Sequence, residues 1–145
     1  MNMDSQTARH LKMMGMVLFL LGLITGLLLG AFKNPRMGLS AHLEGVMNGT
    51  FLVVAGLIWK DLKLGAGIRK TLLWTLMTGT YINWLATLLA AILGTSKMTP
   101  IAGSGFEGKP FHESLVSAGL MATALLMIFS LVLIVYGLRG RNNPD

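Results

Sequence analysis

Cysteine is absent from this chain of 145 residues, and histidine occurs only as His10, His42 and His112. The lack of cysteine excludes disulfide bridges, thiolate metal sites and a thiol nucleophile. A zinc site normally takes three or four protein ligands, and His42, Glu44 and His112 would be a small set for one. Any metal chemistry must therefore work with very few ligands from the protein.

Charged side chains are also scarce. They make up 12% of the chain, whereas hydrophobic residues make up 53%, and soluble domains carry about 25% charged residues. This balance predicts an integral membrane protein with a single domain over residues 1–145. The net charge of +6 does not indicate nucleic acid, because the basic residues flank apolar runs. We expect the lipid bilayer as the partner and no nucleic acid.

Four apolar runs are long enough to cross a bilayer, which takes roughly 20 residues. They predict spans at about 11–32, 41–59, 71–93 and 114–138. The first run is too long for a signal-peptide core and is interpreted as a retained span. The expected fold is an all-α bundle of four transmembrane helices.

The basic residues predict the orientation of the bundle. Four spans place both termini on one side, together with Arg9, Lys12, Lys60, Lys63, Arg69, Lys70, Arg139 and Arg141. The other side holds only Lys33, Arg36, Lys97 and Lys109. The positive-inside rule then predicts that both termini are cytoplasmic, and we expect the inner (cytoplasmic) membrane of a bacterium.

Small residues recur every four positions in the first two spans. Gly22, Gly26 and Gly30 share one helix face. A second stripe consists of Ala41, Gly45 and Gly49. Such stripes let two helix backbones approach closely, which is the interpretation we favour; the alternative is room for a flat cofactor.

A turn is predicted at residues 33–38, with Ser40 as the N-cap of the second helix. His42 would then lie at the external mouth of that helix and could be an interfacial polar residue or a ligand of haem, which needs only one or two axial ligands. Glu44 could cap the helix, pair with Arg36, or act as an acid or base; we favour capping or pairing. Arg36 could instead bind a haem propionate.

Polar side chains also lie deep within the spans. Asn48 is six residues inward of His42, and Asn83 is about ten residues from the external end of the third span. Helical rise places both amides roughly 10–15 Å below the surface. They predict either a shared polar site or hydrogen bonds that only hold helices together. Tyr81 and Thr87 lie in the same part of the third span.

No phosphate-binding loop, zinc-protease motif or serine elbow occurs in the chain. The glycine-rich loop at 94–110 could be a lid over a substrate vestibule or an ordinary surface loop.

Three segments resemble the hydroxylaminobenzene mutases, namely residues 34–49, 79–87 and 98–103. The chain is more distantly similar to the styrene oxide isomerases. Both families share the pattern alanine–histidine, five residues, then asparagine–glycine. Here that pattern is Ala41, His42, Asn48 and Gly49.

The resemblance implies an integral membrane isomerase. Styrene oxide isomerases are homotrimers with haem b between protomers, and the iron acts as a Lewis acid on the epoxide oxygen. By that resemblance His42 is the axial ligand, Asn48 orients the substrate, and Asn83 matches a third-span asparagine. Gly79 and Thr87 stand where the styrene oxide isomerases have aspartate and tyrosine, which favours the mutases.

The expected reaction converts an arylhydroxylamine such as hydroxylaminobenzene into 2-aminophenol, with ferric haem b as the Lewis acid. Asn48 and Asn83 would hold this small aromatic substrate, while Tyr81 or Thr87 assists proton movement. An apolar pocket in the membrane would exclude water. Two alternatives stay open: an epoxide-to-aldehyde rearrangement, and a non-catalytic membrane transport or assembly protein.

Overall fold

The computed structural model describes residues 3–139, and within that range it is helical without strands. The four long helices are α1 (Met3–Leu27), α2 (Pro35–Ile58), α3 (Ala66–Leu93) and α4 (Pro110–Leu138). Each is long and apolar enough to cross a membrane. The predicted all-α fold is thereby confirmed, with four helices that are long and apolar enough to span a membrane. The basic residue Arg141, used above to predict orientation, lies outside the described residues.

The helices differ from the predicted spans mainly at their starts. All four begin earlier than the spans, at Met3, Pro35, Ala66 and Pro110, because additional turns extend them beyond the apolar run. α1 ends earlier, at Leu27, and continues as a short 3₁₀ turn at Leu29–Ala31. Hydropathy marks the hydrocarbon-facing length of a helix and not its full extent.

The start of α2 corrects a prediction. Asn34 is the N-cap, and its side-chain oxygen accepts from the backbone N–H groups of Arg36 and Met37 at 3.1 and 3.2 Å. Pro35 then occupies the first helical position, where its missing N–H is not needed. The prediction of Ser40 as N-cap is wrong, because its hydroxyl donates to the Arg36 carbonyl inside the helix.

As a consequence, the predicted depth of His42 changes. It lies seven residues after the start of α2 at Pro35, which is about 10 Å along the axis. His42 is therefore two turns inside the helix and not at its mouth.

The first two helices pack backbone to backbone. A Cβ added to Gly45 would lie 2.5 Å from Gly22 Cα, and one added to Gly49 would lie 2.5 Å from Phe19 N. No side chain fits at either crossing, so both stripes serve helix packing as favoured. Gly30 is the exception, since nothing lies within 4 Å of a Cβ there.

The described ends of the chain meet at one end of the bundle, here called the termini end. The Lys63 N–H, between α2 and α3, donates to the Gly137 carbonyl near the end of α4 at 2.9 Å. Arg69 at the start of α3 pairs with Asp4 of α1 at 2.8 Å. Both ends of the described chain therefore lie at the same end of the bundle.

The loop end, which is the opposite end of the bundle, is built around Asn34. Its backbone N–H donates to the Ala91 carbonyl and its side-chain amide to the Ala102 carbonyl, both at 3.0 Å. Asn34 thus joins α2, α3 and the loop at 94–109.

Candidate active site

Glu44 of α2 is the centre of a polar cluster within the bundle. Asn48 Nδ2 donates to Glu44 Oε2 at 3.0 Å, and Asn83 Nδ2 of α3 donates to the same oxygen at 2.5 Å. Glu44 and Asn48 share a face because they are four residues apart. Glu44 lies nine residues into α2, about 13 Å from its start. In residues 3–139 the only ion pair joins Arg69 to Asp4, so Glu44 has no cationic partner there.

The expectation that Glu44 caps α2 or pairs with Arg36 is wrong. α2 begins nine residues earlier, so its free N–H groups are out of reach of the carboxylate. The guanidinium of Arg36 instead donates to the carbonyl of Ser104.

The amides of Asn48 and Asn83 do come together, and they meet on one carboxylate oxygen. A carboxylate oxygen in such a contact accepts, so each amide must turn its Nδ2 toward Glu44. Within residues 3–139, neither Oδ1 accepts a hydrogen bond, and neither does Glu44 Oε1. The cluster therefore offers three unused acceptor oxygens, although Asn48 is only 9% exposed.

His42 is held by α1. Its Nδ1 lies 2.8 Å from the carbonyl oxygen of Gly22. Because a carbonyl only accepts, Nδ1 carries a proton, and in the neutral form of the ring the lone pair is on Nε2. The ring lies against Gly26, where a Cβ would be 2.7 Å from Nδ1. Histidines that bind metals usually donate their other N–H to such a carbonyl.

The half-buried His42 ring therefore fits the role of a single axial ligand. Within residues 3–139, no group of three or more histidine, cysteine, aspartate or glutamate side chains lies close enough together to hold a metal ion. Haem requires only one or two axial ligands from protein. Arg36, the predicted propionate partner, is exposed and lies about 9 Å nearer the start of α2 than His42.

The other two predicted site residues are engaged elsewhere. The Tyr81 hydroxyl donates to the Met14 carbonyl of α1 at 2.9 Å. The Thr87 hydroxyl donates to the Asn83 carbonyl at 2.8 Å. Neither side chain forms a hydrogen bond with Glu44 in the described part of the chain, and their role in proton movement stays a prediction.

Trp84 is a structural element of the site that sequence patterns did not assign. Its indole N–H donates to Thr25 Oγ1 of α1 at 3.2 Å. Its Cδ1 would lie 3.0 Å from a Cβ at Gly45. The indole thus fills the space beside the crossing of α1 and α2, next to the helix segment that carries Glu44.

The loop at 94–109 is fastened to α4 by Glu113. This carboxylate accepts from the backbone N–H groups of Ser96 and Lys97, each at 3.0 Å, and of Gly108 at 2.9 Å. The loop is also tied to the start of α2 through Asn34, as described above. It covers the end of the bundle nearer to His42.

A cavity of about 710 Å³ opens at the termini end, away from these groups. Its charged lining includes Asp4 and Arg69, which neutralise each other as an ion pair. Arg69 also donates to the carbonyls of Trp59, Leu62 and Leu64. The candidate site is therefore the Glu44 cluster, where acceptor oxygens remain unused. His42 lies two residues before Glu44 and contacts α1 instead of α3, because residues two apart do not share a helix face.

Comparison with known proteins identifies the family. The family model described as styrene oxide isomerase matches residues 7–139. Hydroxylaminobenzene mutase HabB of Ectopseudomonas oleovorans is 47% identical over 146 residues, covering 98% of this chain and 89% of that protein. Hydroxylaminobenzene mutase HabA of the same organism is 42% identical over 125 residues, covering 86% and 93%.

No solved structure matches the chain significantly. The family model covers nearly the whole described chain, including both helices that form the Glu44 cluster. The two relatives align with most of the chain as well. The chain belongs to the styrene oxide isomerase family, and it is an isomerase.

Proposed function

We propose that this chain is a membrane mutase that rearranges an arylhydroxylamine such as hydroxylaminobenzene into 2-aminophenol. The names of its two relatives support this substrate class. The observation that carries the proposal is the Glu44 cluster, in which the amides of Asn48 and Asn83 direct their N–H groups to the carboxylate.

The cluster suits a substrate that donates hydrogen bonds. An arylhydroxylamine offers one N–H and one O–H, and the Oδ1 atoms of Asn48 and Asn83 are acceptors. Styrene oxide has an acceptor oxygen and no donor. A site built to bond a polar group discriminates strongly against an analogue that lacks it, so the arrangement favours the hydroxylamine.

Position 79 supports the same choice. A Cβ added to Gly79 would lie 2.9 Å from Met127 Sδ of α4. The aspartate that the resemblance gives the styrene oxide isomerases at this position would require the Met127 side chain to move. The packing around position 79 therefore suits the glycine of this chain.

The proposal includes ferric haem b, with His42 Nε2 as the axial ligand and Arg36 near a propionate. The orientation of the His42 ring supports this, because its Nδ1–H is taken up by Gly22 and its lone pair lies on Nε2. When bound, the haem supplies a Lewis acid for the oxygen of the substrate. We further propose a homotrimer with haem between protomers, supported by the family resemblance and by the half-buried state of His42 in one chain.

The proposed location is the inner membrane of a bacterium, with both termini cytoplasmic. The support is the excess of basic residues at the termini end, where Lys60, Lys63, Arg69 and Lys70 lie. The substrate would then partition from the bilayer into the apolar surroundings of the site, where water is excluded.

The test is incubation of the detergent-purified protein with hydroxylaminobenzene and, separately, with styrene oxide. We expect 2-aminophenol from the first and no aldehyde from the second. Turnover of styrene oxide alone would assign the epoxide reaction instead. Turnover of neither would favour a transport or assembly protein.

The haem is tested by absorbance of the same preparation. We expect a Soret band that is lost in His42→Ala and kept in His112→Ala, the matched control at the start of α4. An active preparation without a Soret band would overturn the haem assignment and leave the mutase assignment in place.

A further inference from the structure

The reaction under the proposed function has a proton balance that the site must satisfy. An arylhydroxylamine and its ortho-aminophenol are isomers. The N–O bond breaks and a C–O bond forms at the ortho carbon, which leaves that carbon with both hydrogen and oxygen. The ring becomes aromatic again only when this carbon loses its proton and the nitrogen gains one. A single group that accepts a proton and returns it completes the reaction.

Few groups within the spans can serve as that acid and base. Within residues 3–139, the acidic residues at helix ends and in loops are Asp4, Asp61, Glu107 and Glu113. Among residues 3–139, Glu44 is the only acid in the middle of a helix. A carboxylate kept at such depth is expensive, and its presence in a span usually marks function.

The contacts of Glu44 leave one carboxylate oxygen available. Both amides donate to Oε2, and Oε1 accepts nothing within the described residues. No cation in that part of the chain neutralises the group. The two amides thus fix the plane of the carboxyl group and direct Oε1 away from themselves. Either protonation state keeps both hydrogen bonds, because Oε2 remains an acceptor when the proton is on Oε1.

We propose that Glu44 is the catalytic proton-transfer residue of this chain, a role that rests on the proposed function. Glu44 Oε1 takes the proton from the ortho carbon as the C–H electron pair returns to the ring. The protonated Oε1 then delivers that proton to the imine nitrogen, which becomes the amine. Electrons and protons balance without an oxidant or a reductant. An epoxide-to-aldehyde rearrangement by hydride shift needs no such group.

The experiment compares wild type with Glu44→Gln, which keeps the size of the side chain and removes the base. We expect kcat for hydroxylaminobenzene to fall by roughly 100- to 10,000-fold, the usual contribution of acid–base catalysis. With substrate deuterated at both ortho carbons, we also expect a larger primary isotope effect on kcat for Glu44→Gln than for wild type. The reason is that proton removal limits the rate in the variant. The control is Glu107→Gln in the exposed loop, which should match wild type in both measurements.

Each outcome decides a separate point. A wild type that does not convert hydroxylaminobenzene overturns the proposed function and this role with it. An active wild type with an equally active Glu44→Gln variant, without a larger isotope effect, overturns the role of Glu44 alone. The same holds if Tyr81→Phe or Thr87→Val shows the larger isotope effect.

A second variant keeps the role of Glu44 testable if the first variant misfolds. If Glu44→Gln does not fold by circular dichroism and size exclusion, Glu44→Asp is used. It keeps the carboxylate but withdraws it by one methylene, so we expect a folded protein with a reduced kcat and a raised isotope effect. A Glu44→Asp variant as fast as wild type, with an unchanged isotope effect, would overturn the role.

Discussion

Gly26 of α1 stands against the imidazole of His42 of α2, so closely that a Cβ at position 26 would lie 2.7 Å from Nδ1. One turn earlier on the same helix, the carbonyl of Gly22 takes up the Nδ1 proton. α1 therefore provides both the space for the ring and the acceptor that orients it. The His42 ring cannot keep this position if residue 26 carries a side chain.

The first prediction concerns Gly26→Ala. The added methyl group must push the His42 ring away from Gly22, because the contact is far shorter than normal packing allows. We expect a loss of haem of tenfold or more, corresponding to about 1.4 kcal/mol or more. The measurement is the ratio of Soret to protein absorbance after purification. Gly30→Ala is the control, since nothing lies within 4 Å of a Cβ there. Equal haem content in both variants would contradict the prediction.

The second prediction concerns the hydrogen bond between Glu44 and Asn83. Each single change, Glu44→Leu or Asn83→Leu, leaves the other polar group without this hydrogen-bond partner. The double change removes both partners. We expect a coupling of about 1–2 kcal/mol in the free energy of unfolding. It is measured by denaturation in mixed micelles. Thr50→Val combined with Asn83→Leu is the control and should be additive, because the Thr50 hydroxyl donates within its own helix.

Much of this cluster could be anticipated from the sequence. The length of the hydrocarbon core forces spans of about 20 apolar residues, so the runs identify the helices. Counting residues along two spans then places Asn48 and Asn83 at similar depth. The count uses helical rise, which does not vary with the sequence, and the helix boundaries, which do. The start of α2 at Pro35 therefore places Asn48 deeper from the start of its helix than predicted.

The partners of Glu44 could not be anticipated in the same way. α2 is apolar around most of its circumference, so its pattern does not define which face meets α3. The rotation is set by glycine contacts such as Gly22 with Gly45, which depend on the fold. The start of α2 was predicted at Ser40 for a different reason: Pro35 lies in the predicted turn, and a proline ends one helix and suits the first position of another equally well.

The third prediction concerns Arg69 at the termini end. Its guanidinium donates to three backbone carbonyls and pairs with Asp4. We expect Arg69→Met to lower the free energy of unfolding by at least about 2 kcal/mol, because hydrogen bonds to a charged group are lost. The effect is measured by denaturation, with kcat per folded molecule unchanged. Lys70→Met, at an exposed neighbouring position, should stay within about 0.5 kcal/mol of wild type.

The fourth prediction concerns Glu113 and the loop at 94–109. In Glu113→Gln, one oxygen that accepts backbone N–H groups becomes an NH₂ group, which cannot accept them. We expect trypsin cleavage at Lys97 to become about tenfold faster, since one such bond is worth about 1.5 kcal/mol or more. Glu107→Gln makes the same charge change in the exposed part of the loop and should leave cleavage unchanged. Similar cleavage rates in the two variants would show that Glu113 does not fasten the loop.

The fifth prediction concerns orientation in the membrane. Because the chain lacks cysteine, single cysteines can be introduced without background. Lys63→Cys and Ser104→Cys mark exposed sites at the termini end and the loop end. With a membrane-impermeant maleimide, we expect Ser104→Cys to be labelled in spheroplasts and Lys63→Cys only after lysis. The opposite pattern would place the termini outside.

The position of Asn48 one turn after Glu44 also matters for how the protein is made. Asn83 belongs to α3 and is synthesised 39 residues after Glu44. When α2 first enters the membrane, Asn48 is the only one of the two amides that can accompany the acid. The carboxyl group thus enters the lipid with one hydrogen-bond partner already in place on its own helix. Asn83 adds the second hydrogen bond when α3 inserts.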